Sequence, residues 1–164
     1  MYVFVMRHGE AQLPAANDRE RQLTEKGYAQ SAATAQWLAQ HYLTGNKIER
    51  VFNSPFRRTR QTQSVIADYF DIAVEEESED ITPSGNPHLF HDYLDHIIDT
   101  EHLTCSVMIV SHMPFVSYMV DALTQHHHSM LFATAGVAVV EYDAKKSTGK
   151  LVDHFHPVVS VSDS

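Results

Sequence analysis

Three short stretches of the chain carry residue types able to do chemistry on an anion: Arg7-His8-Gly9, Ser54-Pro55-Phe56-Arg57-Arg58 and Ser111-His112-Met113-Pro114. An arginine offers a planar, permanently charged fork that matches phosphate oxygens, and a histidine near neutral pH keeps a lone pair able to attack phosphorus. Two arginines and two histidines around one small dianion suggest transfer of a phosphoryl group, with binding as only the first step. His8 is the candidate nucleophile, and Arg7, Arg58 and His112 are the candidate ligands of the three equatorial oxygens. Gly9 removes a side chain where backbone would approach the anion, and Pro114 stands where a first helical residue would leave free N–H groups near the same point. Arginines close to His8 would also disfavour its protonated form, keeping the nucleophile neutral.

These stretches can meet only if the fold gathers them. Each follows an apolar run (Tyr2–Met6, Arg50–Asn53, Ser106–Val110) that reads as a buried strand, and each precedes a segment with helical periodicity. In an open parallel sheet the loops at the carboxyl ends of the strands lie along one edge, where ligands bind. Thr24 should cap a helix that runs to about Tyr42 and ends at Gly45-Asn46. Thr62, Val65, Ile66, Tyr69 and Phe70 recur at helical spacing, which puts a core stripe on a helix that begins with Arg58. Further helices are expected around Phe90–Ile98 and Phe115–Leu123, with Glu10–Gln22 as a loop able to cover the site. Ile72–Val74 reads as a short strand and the carboxylate run Glu75–Asp80 as solvated, while Gly136–Tyr142 and Leu151–Phe155 read as final strands joined by a polar turn, Asp143–Gly149. The expected fold class is α/β: a three-layer α/β/α single domain over 1–164, with a mainly parallel sheet and an antiparallel edge.

The formal net charge of −9 opposes nucleic-acid binding, yet six of the seven arginines (all but Arg50) lie in or beside the segments above. An acidic chain with one basic pocket is the result. Hydrophobic content of 43% and charged content of 20% are those of a globular protein, and the apolar runs are too short to span a bilayer. With no secretory pattern at the N-terminus and Cys105 as the single cysteine, a cytoplasmic location is expected. The His126–His128 run and the His154-x-His156 pair have no third and fourth metal ligands at recognisable spacing, so exposed histidines are the simpler reading. His88, His91, His96 and His102 read as solvent-facing, and Glu10 as either orienting the pocket or facing water.

At these residues the chain resembles the histidine phosphatase, or phosphoglycerate mutase-like, superfamily, whose pattern is an Arg-His-Gly start, a Ser-Pro-x-x-Arg segment and a later His. Arg21-Gln22-Leu23-Thr24-Glu25-Lys26-Gly27 is similar to the family's Arg-x-Leu-Thr-x-x-Gly turn into the first helix, and Gln61-Thr62 follows the second arginine as expected. Thr59 departs from the family's usual Ala. The small size and the opening Tyr-Val-Phe-Val-Met-Arg-His-Gly-Glu look most like the SixA-type phosphohistidine phosphatases.

The resemblance implies a hydrolase that forms a phosphohistidine on His8 and releases inorganic phosphate to water, with Arg21 as further electrostatic support and without metal or cofactor. The implied partner is a phosphorylated histidine-containing protein, either a phosphotransfer domain or a phosphocarrier, serving signal transduction. Mutase-like relatives carry a Glu acid for an alkoxide leaving group. An imidazole, with a free pKa of about 6.5, leaves with little help. The matching stretch here is Glu75–Asp80, where Glu79 or Asp80 could serve as acid. The short spacer from Arg58 to His112 implies an open pocket. The alternatives are a small-molecule phosphomonoesterase of the same superfamily and a non-catalytic phosphate-recognition module.

Overall fold

The computed structural model describes residues 1–14 and 16–160. Residue 15 of the expected covering loop and residues 161–164 of the expected domain lie outside the described residues.

β1 (Tyr2–Arg7), β2 (Lys47–Asn53), β3 (Asp71–Glu77), β4 (Ser106–Ser111), β5 (Val137–Asp143) and β6 (Thr148–Phe155) form one six-stranded sheet in the order β3-β2-β4-β1-β5-β6. β3, β2, β4 and β1 run parallel, whereas β5 and β6 add the antiparallel edge. The central strands are apolar on both faces, as strands covered on both sides must be. Val3, Val5, Val107 and Ile109 enter one core, packed with Phe90 and Leu94 of α3 (Pro87–Thr100) and Met119 and Leu123 of α4 (Phe115–Thr124). Phe4, Met6, Met108 and Val110 enter the other, packed with Ala35 and Leu38 of α1 (Glu25–His41) and Ile66 of α2 (Arg57–Tyr69). The layers are therefore α/β/α.

β1 and β4 are neighbours, but β1 leads to α1 on one face and β4 to α4 on the other. Their chains diverge at the carboxyl edge, and the crevice this opens is where ligands bind in such sheets. Arg7 lies beside Ser111 and Asn53 beside Val110. The ladder continues one step further, with His8 N–H donating to Ser111 O (3.0 Å) and Ser54 N–H to Val110 O (3.1 Å). Three functional loops thus leave the sheet side by side.

Local structure departs from the expected elements in several places. β3 extends through Glu77, so half the carboxylate run lies in an edge strand; its carboxylates stay exposed, as expected, apart from the half-buried Glu76, but they are paired. Glu75 accepts from Gln63, Glu76 from Arg50 and Tyr93, and Glu77 from Arg60. Charged side chains on an exposed edge also discourage pairing with another chain. His91 is not simply solvent-facing: it bonds the Tyr142 hydroxyl at 2.8 Å and lies 3.6 Å from Asp95, one helical turn on. Pro114 caps α4 from one position before its first residue. Among the described residues, no helix is long and apolar enough to cross a membrane.

Candidate active site

The expected catalytic side chains stand at or just beyond the three strand ends: Arg7 closes β1 and His8 follows it, Arg58 lies in the first turn of α2, and His112 follows β4. His8 is 6% exposed, Arg58 4% and His112 1%, and the two imidazole rings lie 5.3 Å apart, edge to face. His8 Nδ1 is 2.7 Å from Gly9 O, an atom that can only accept, so the proton of neutral His8 sits on Nδ1 and the lone pair on Nε2. Arg58 Nε donates to that Nε2 at 3.3 Å. The nitrogen that would attack phosphorus is therefore the one facing the guanidinium cluster. Arg7 is anchored by Nη1 donating to Phe132 O at 2.8 Å, while its Nε is buried without a partner. His112 Nδ1 is likewise buried and unpartnered. The Arg7 Nε–H is an unpaired buried donor that suits an incoming oxyanion, as does His112 Nδ1 in the tautomer that protonates it.

Burial holds His8 neutral, lowering its pKa to about 3; the Gly9 carbonyl works against this shift, and the charges of Arg58, Arg7 and Arg21 add to it. The direction is the one expected from the sequence, although desolvation exceeds the guanidinium charge as a cause. His112 falls to about 2, again through burial first and then through His8 and the three arginines. Burial also lowers Arg7 and Arg58 from the usual arginine range.

A pH dependence of stability follows. An unfolded histidine gains its proton near pH 6.5, whereas these two gain theirs only near 3 and 2. As pH falls below about 6.5, the unfolded chain binds up to about two more protons than the folded one, and unfolding becomes easier. Above 6.5 this contribution vanishes. Denaturation midpoints measured between roughly pH 7 and 4 should fall less steeply in His112→Gln than in wild type, by about one proton's worth of slope.

Arg21 does not bond His8. Its Nε donates to Gln12 O at 2.6 Å and its Nη1 to Asp18 Oδ1 at 3.2 Å. Asp18, in a short helical turn (Asp18–Glu20) of the β1–α1 connection, is the residue sequence reasoning missed. Its backbone O accepts from Arg58 Nη1 at 2.8 Å, and its Oδ2 from Arg58 Nη2 at 3.4 Å. Burial works to raise the Asp18 pKa and is outweighed by the Arg21 hydrogen bond and the Arg58 charge, so the net direction is down. The covering loop thus brings its own carboxylate to two arginines of the pocket.

Gly9 is required by packing as well. A Cβ there would come 2.4 Å from Gly27 O, and its N–H is taken by Thr62 Oγ1 at 3.0 Å. The glycine permits the β1 loop to lie against α1, and Thr62, one turn beyond Arg58, holds it there. Glu10 accepts from the Thr24 hydroxyl at 3.2 Å and pairs with Lys26, so it faces the start of α1. Thr59 is buried and donates to Ser54 O at 2.7 Å, bracing the Ser-Pro turn. Glu79 bonds Arg19 at 2.6 Å, Arg19 stacks on Phe56, and Phe56 meets His112 edge-on, which sets Glu79 at the rim. Asp80 is exposed. His126 and His128 lie ring to ring, as do His154 and His156, but no group of three or more metal-ligating side chains is assembled among the described residues.

Residues 3–79 match the model of the histidine phosphatase superfamily (branch 1). The chain is 37% identical to the phosphohistidine phosphatase SixA homolog of Haemophilus influenzae over 152 residues, covering 90% of this chain and 92% of that one. The chain belongs to the histidine phosphatase superfamily. It is also 37% identical to phosphohistidine phosphatase SixA of Escherichia coli, with 87% of this chain and 86% of that one covered. Among solved structures, the protein histidine phosphatase SixA complexed with tungstate superposes with a TM-score of 0.87 at 34% identity, over 96% and 97% of the two chains. A phosphoserine phosphatase from Entamoeba histolytica shares the fold alone, at 14% identity and a TM-score of 0.68, over 93% of this chain and 95% of that one. The same fold is therefore found in proteins named for different phosphorylated substrates.

Proposed function

We propose that this protein is a phosphohistidine phosphatase that removes phosphate from a histidine of a phosphotransfer or phosphocarrier protein, acting in the cytoplasm as a single domain over 1–164. The observation that carries the reading is the His8 arrangement: Nδ1–H fixed on Gly9 O, and an Nε2 lone pair turned toward Arg58. The kinship with SixA proteins over nearly the whole chain supports the same substrate class.

In the first half-reaction the phosphoryl group of the partner enters the cluster, and His8 Nε2 attacks phosphorus in line. The P–N bond to the partner's imidazole breaks, and that imidazole leaves with the bonding pair. Arg7, Arg58 and His112 hold the equatorial oxygens and offset their charge. In the second half-reaction water attacks the phosphohistidine of the enzyme and releases inorganic phosphate, restoring the His8 lone pair. Glu79 pairs with Arg19 at the rim and is 68% exposed on its side chain, a setting that suits a reaction needing no strong acid for its leaving group.

Phosphate release should be compared between a phosphohistidine-bearing protein and a panel of sugar phosphates and phosphoserine. Release from the phosphohistidine protein at least about a hundredfold faster in kcat/KM than from any monoester is expected. Comparable or faster turnover of a monoester would replace this reading with a metabolite phosphatase.

A further inference from the structure

The second histidine must present a proton to the anion if it is to act as a ligand while neutral, and the surroundings of its two ring nitrogens differ. His112 Nε2 lies 2.7 Å from Ser54 Oγ, and Ser54 is fully buried. Either atom of this pair could be the donor. Ser54 Oγ also accepts from Phe56 N–H at 3.4 Å, and among the described residues its own proton has no acceptor other than His112.

Two arrangements are possible. If His112 donated from Nε2, the Ser54 hydroxyl proton and the Nδ1 lone pair would both be buried without partners. If Ser54 donates to Nε2, only the Nδ1–H is left unpaired. Each unmet buried polar group carries a desolvation cost, so the second arrangement is favoured. It leaves one N–H unpaired and ready for an oxyanion.

We propose that Ser54 is a positioning residue: by donating its hydroxyl proton to His112 Nε2, it fixes the Nδ1–H tautomer and supplies the donor that His112 offers to a phosphoryl oxygen. Ser54 is well placed for the task. Its N–H is held by Val110 O, and its carbonyl accepts from Thr59 Oγ1, so the hydroxyl is set by the end of β2 and the start of α2 together. The Thr59 hydroxyl, at the position where the superfamily usually has Ala, thereby steadies the residue that orients His112. The proposal rests on His112 being a ligand of the phosphoryl group.

The test reads the tautomer directly. In 15N-labelled wild-type protein, with the His112 ring assigned by difference against His112→Gln, long-range 1H–15N spectra at neutral pH should show Nδ1 protonated and Nε2 bare. Ser54→Ala should lose this signature for a mixture or for Nε2–H, and kcat/KM for a phosphohistidine protein should fall by at least about tenfold. Ser54→Thr, which keeps the hydroxyl, should restore much of both. A wild-type ring protonated on Nε2 overturns the proposal, and so does a Ser54→Ala enzyme that keeps the Nδ1–H signature or full activity. Inorganic phosphate added to wild type should shift the Nδ1 resonance. A correct tautomer that ignores phosphate would instead count against His112 as a ligand, which separates the failure of the functional reading from the failure of this one.

Discussion

His8→Ala is expected to lower phosphate release from a phosphohistidine protein by about four orders of magnitude or more, because it removes the proposed nucleophile, the Nε2 lone pair turned toward Arg58. The substitution should leave the fold in place. The main-chain bonds of His8, its N–H to Ser111 O and its O from Ala135 N–H, do not involve the ring, and Arg58 keeps both of its bonds to Asp18. Inorganic phosphate should therefore still bind the variant within severalfold of wild type. Wild-type enzyme quenched during turnover of a 32P-labelled partner should carry an acid-labile, alkali-stable label, as a phosphoramidate does, and the variant should carry none. Label retained in His8→Ala would move the nucleophile elsewhere. An inactive variant beside an active wild-type enzyme that carries no label would point to direct attack by water.

Much of this site could be read from the sequence because its logic is local. Strand Ser106–Val110 followed by Ser111-His112, or strand Tyr2–Met6 followed by Arg7-His8-Gly9, states both the element and its cargo within ten residues. Parallel topology then brings the cargoes together. The roles of Asp18 and Ser54 were not visible in the same way. Asp18 acts through Arg58, forty residues on, and nothing about an acidic residue in a polar loop announces such a partner. Ser54 stands in a recognisable Ser-Pro turn, but its hydrogen bond reaches across the sheet to a residue fifty-eight positions away. The packing reason for Gly9 is hidden on the same grounds, since only the packed structure shows that Gly27 O fills the space a Cβ would need.

Apolar periodicity also has a blind side. On α2 it selects Thr62, Ile66 and Phe70 correctly, but Val65 and Tyr69 are half-buried, while Arg58, Thr59 and Gln63 are buried. Those polar side chains face the site and its flank. The same limit explains the length of β3: an edge strand with most side chains exposed has no alternation to carry it past Val74, although β2 holds its exposed glutamates in register through Glu77.

Arg58 is where the buried polar face of α2 meets the chemistry, and Arg58→Ala should lower kcat/KM for a phosphohistidine protein by about 10²–10³. Three of its nitrogens are engaged in the resting site, Nε with His8 Nε2 and Nη1 and Nη2 with Asp18. In the proposed reaction an arriving phosphoryl group would take up the His8 lone pair before Nε and offer oxygens in place of the Asp18 carboxylate before Nη2, so the same fork would turn from holding the loop to holding the transition state. A lysine supplies charge but not a planar fork, and Arg58→Lys should recover only part of the loss. Removing Arg58 also takes one positive charge from beside His8, which on its own would let the histidine protonate more readily. Burial is the larger cause of the His8 shift to about 3, however, so the ring should stay neutral through the physiological range. The rate deficit should accordingly be constant between roughly pH 6 and 8, as lost anion stabilisation requires. A deficit that deepens toward the acid end would mean that the guanidinium acts chiefly by keeping His8 unprotonated.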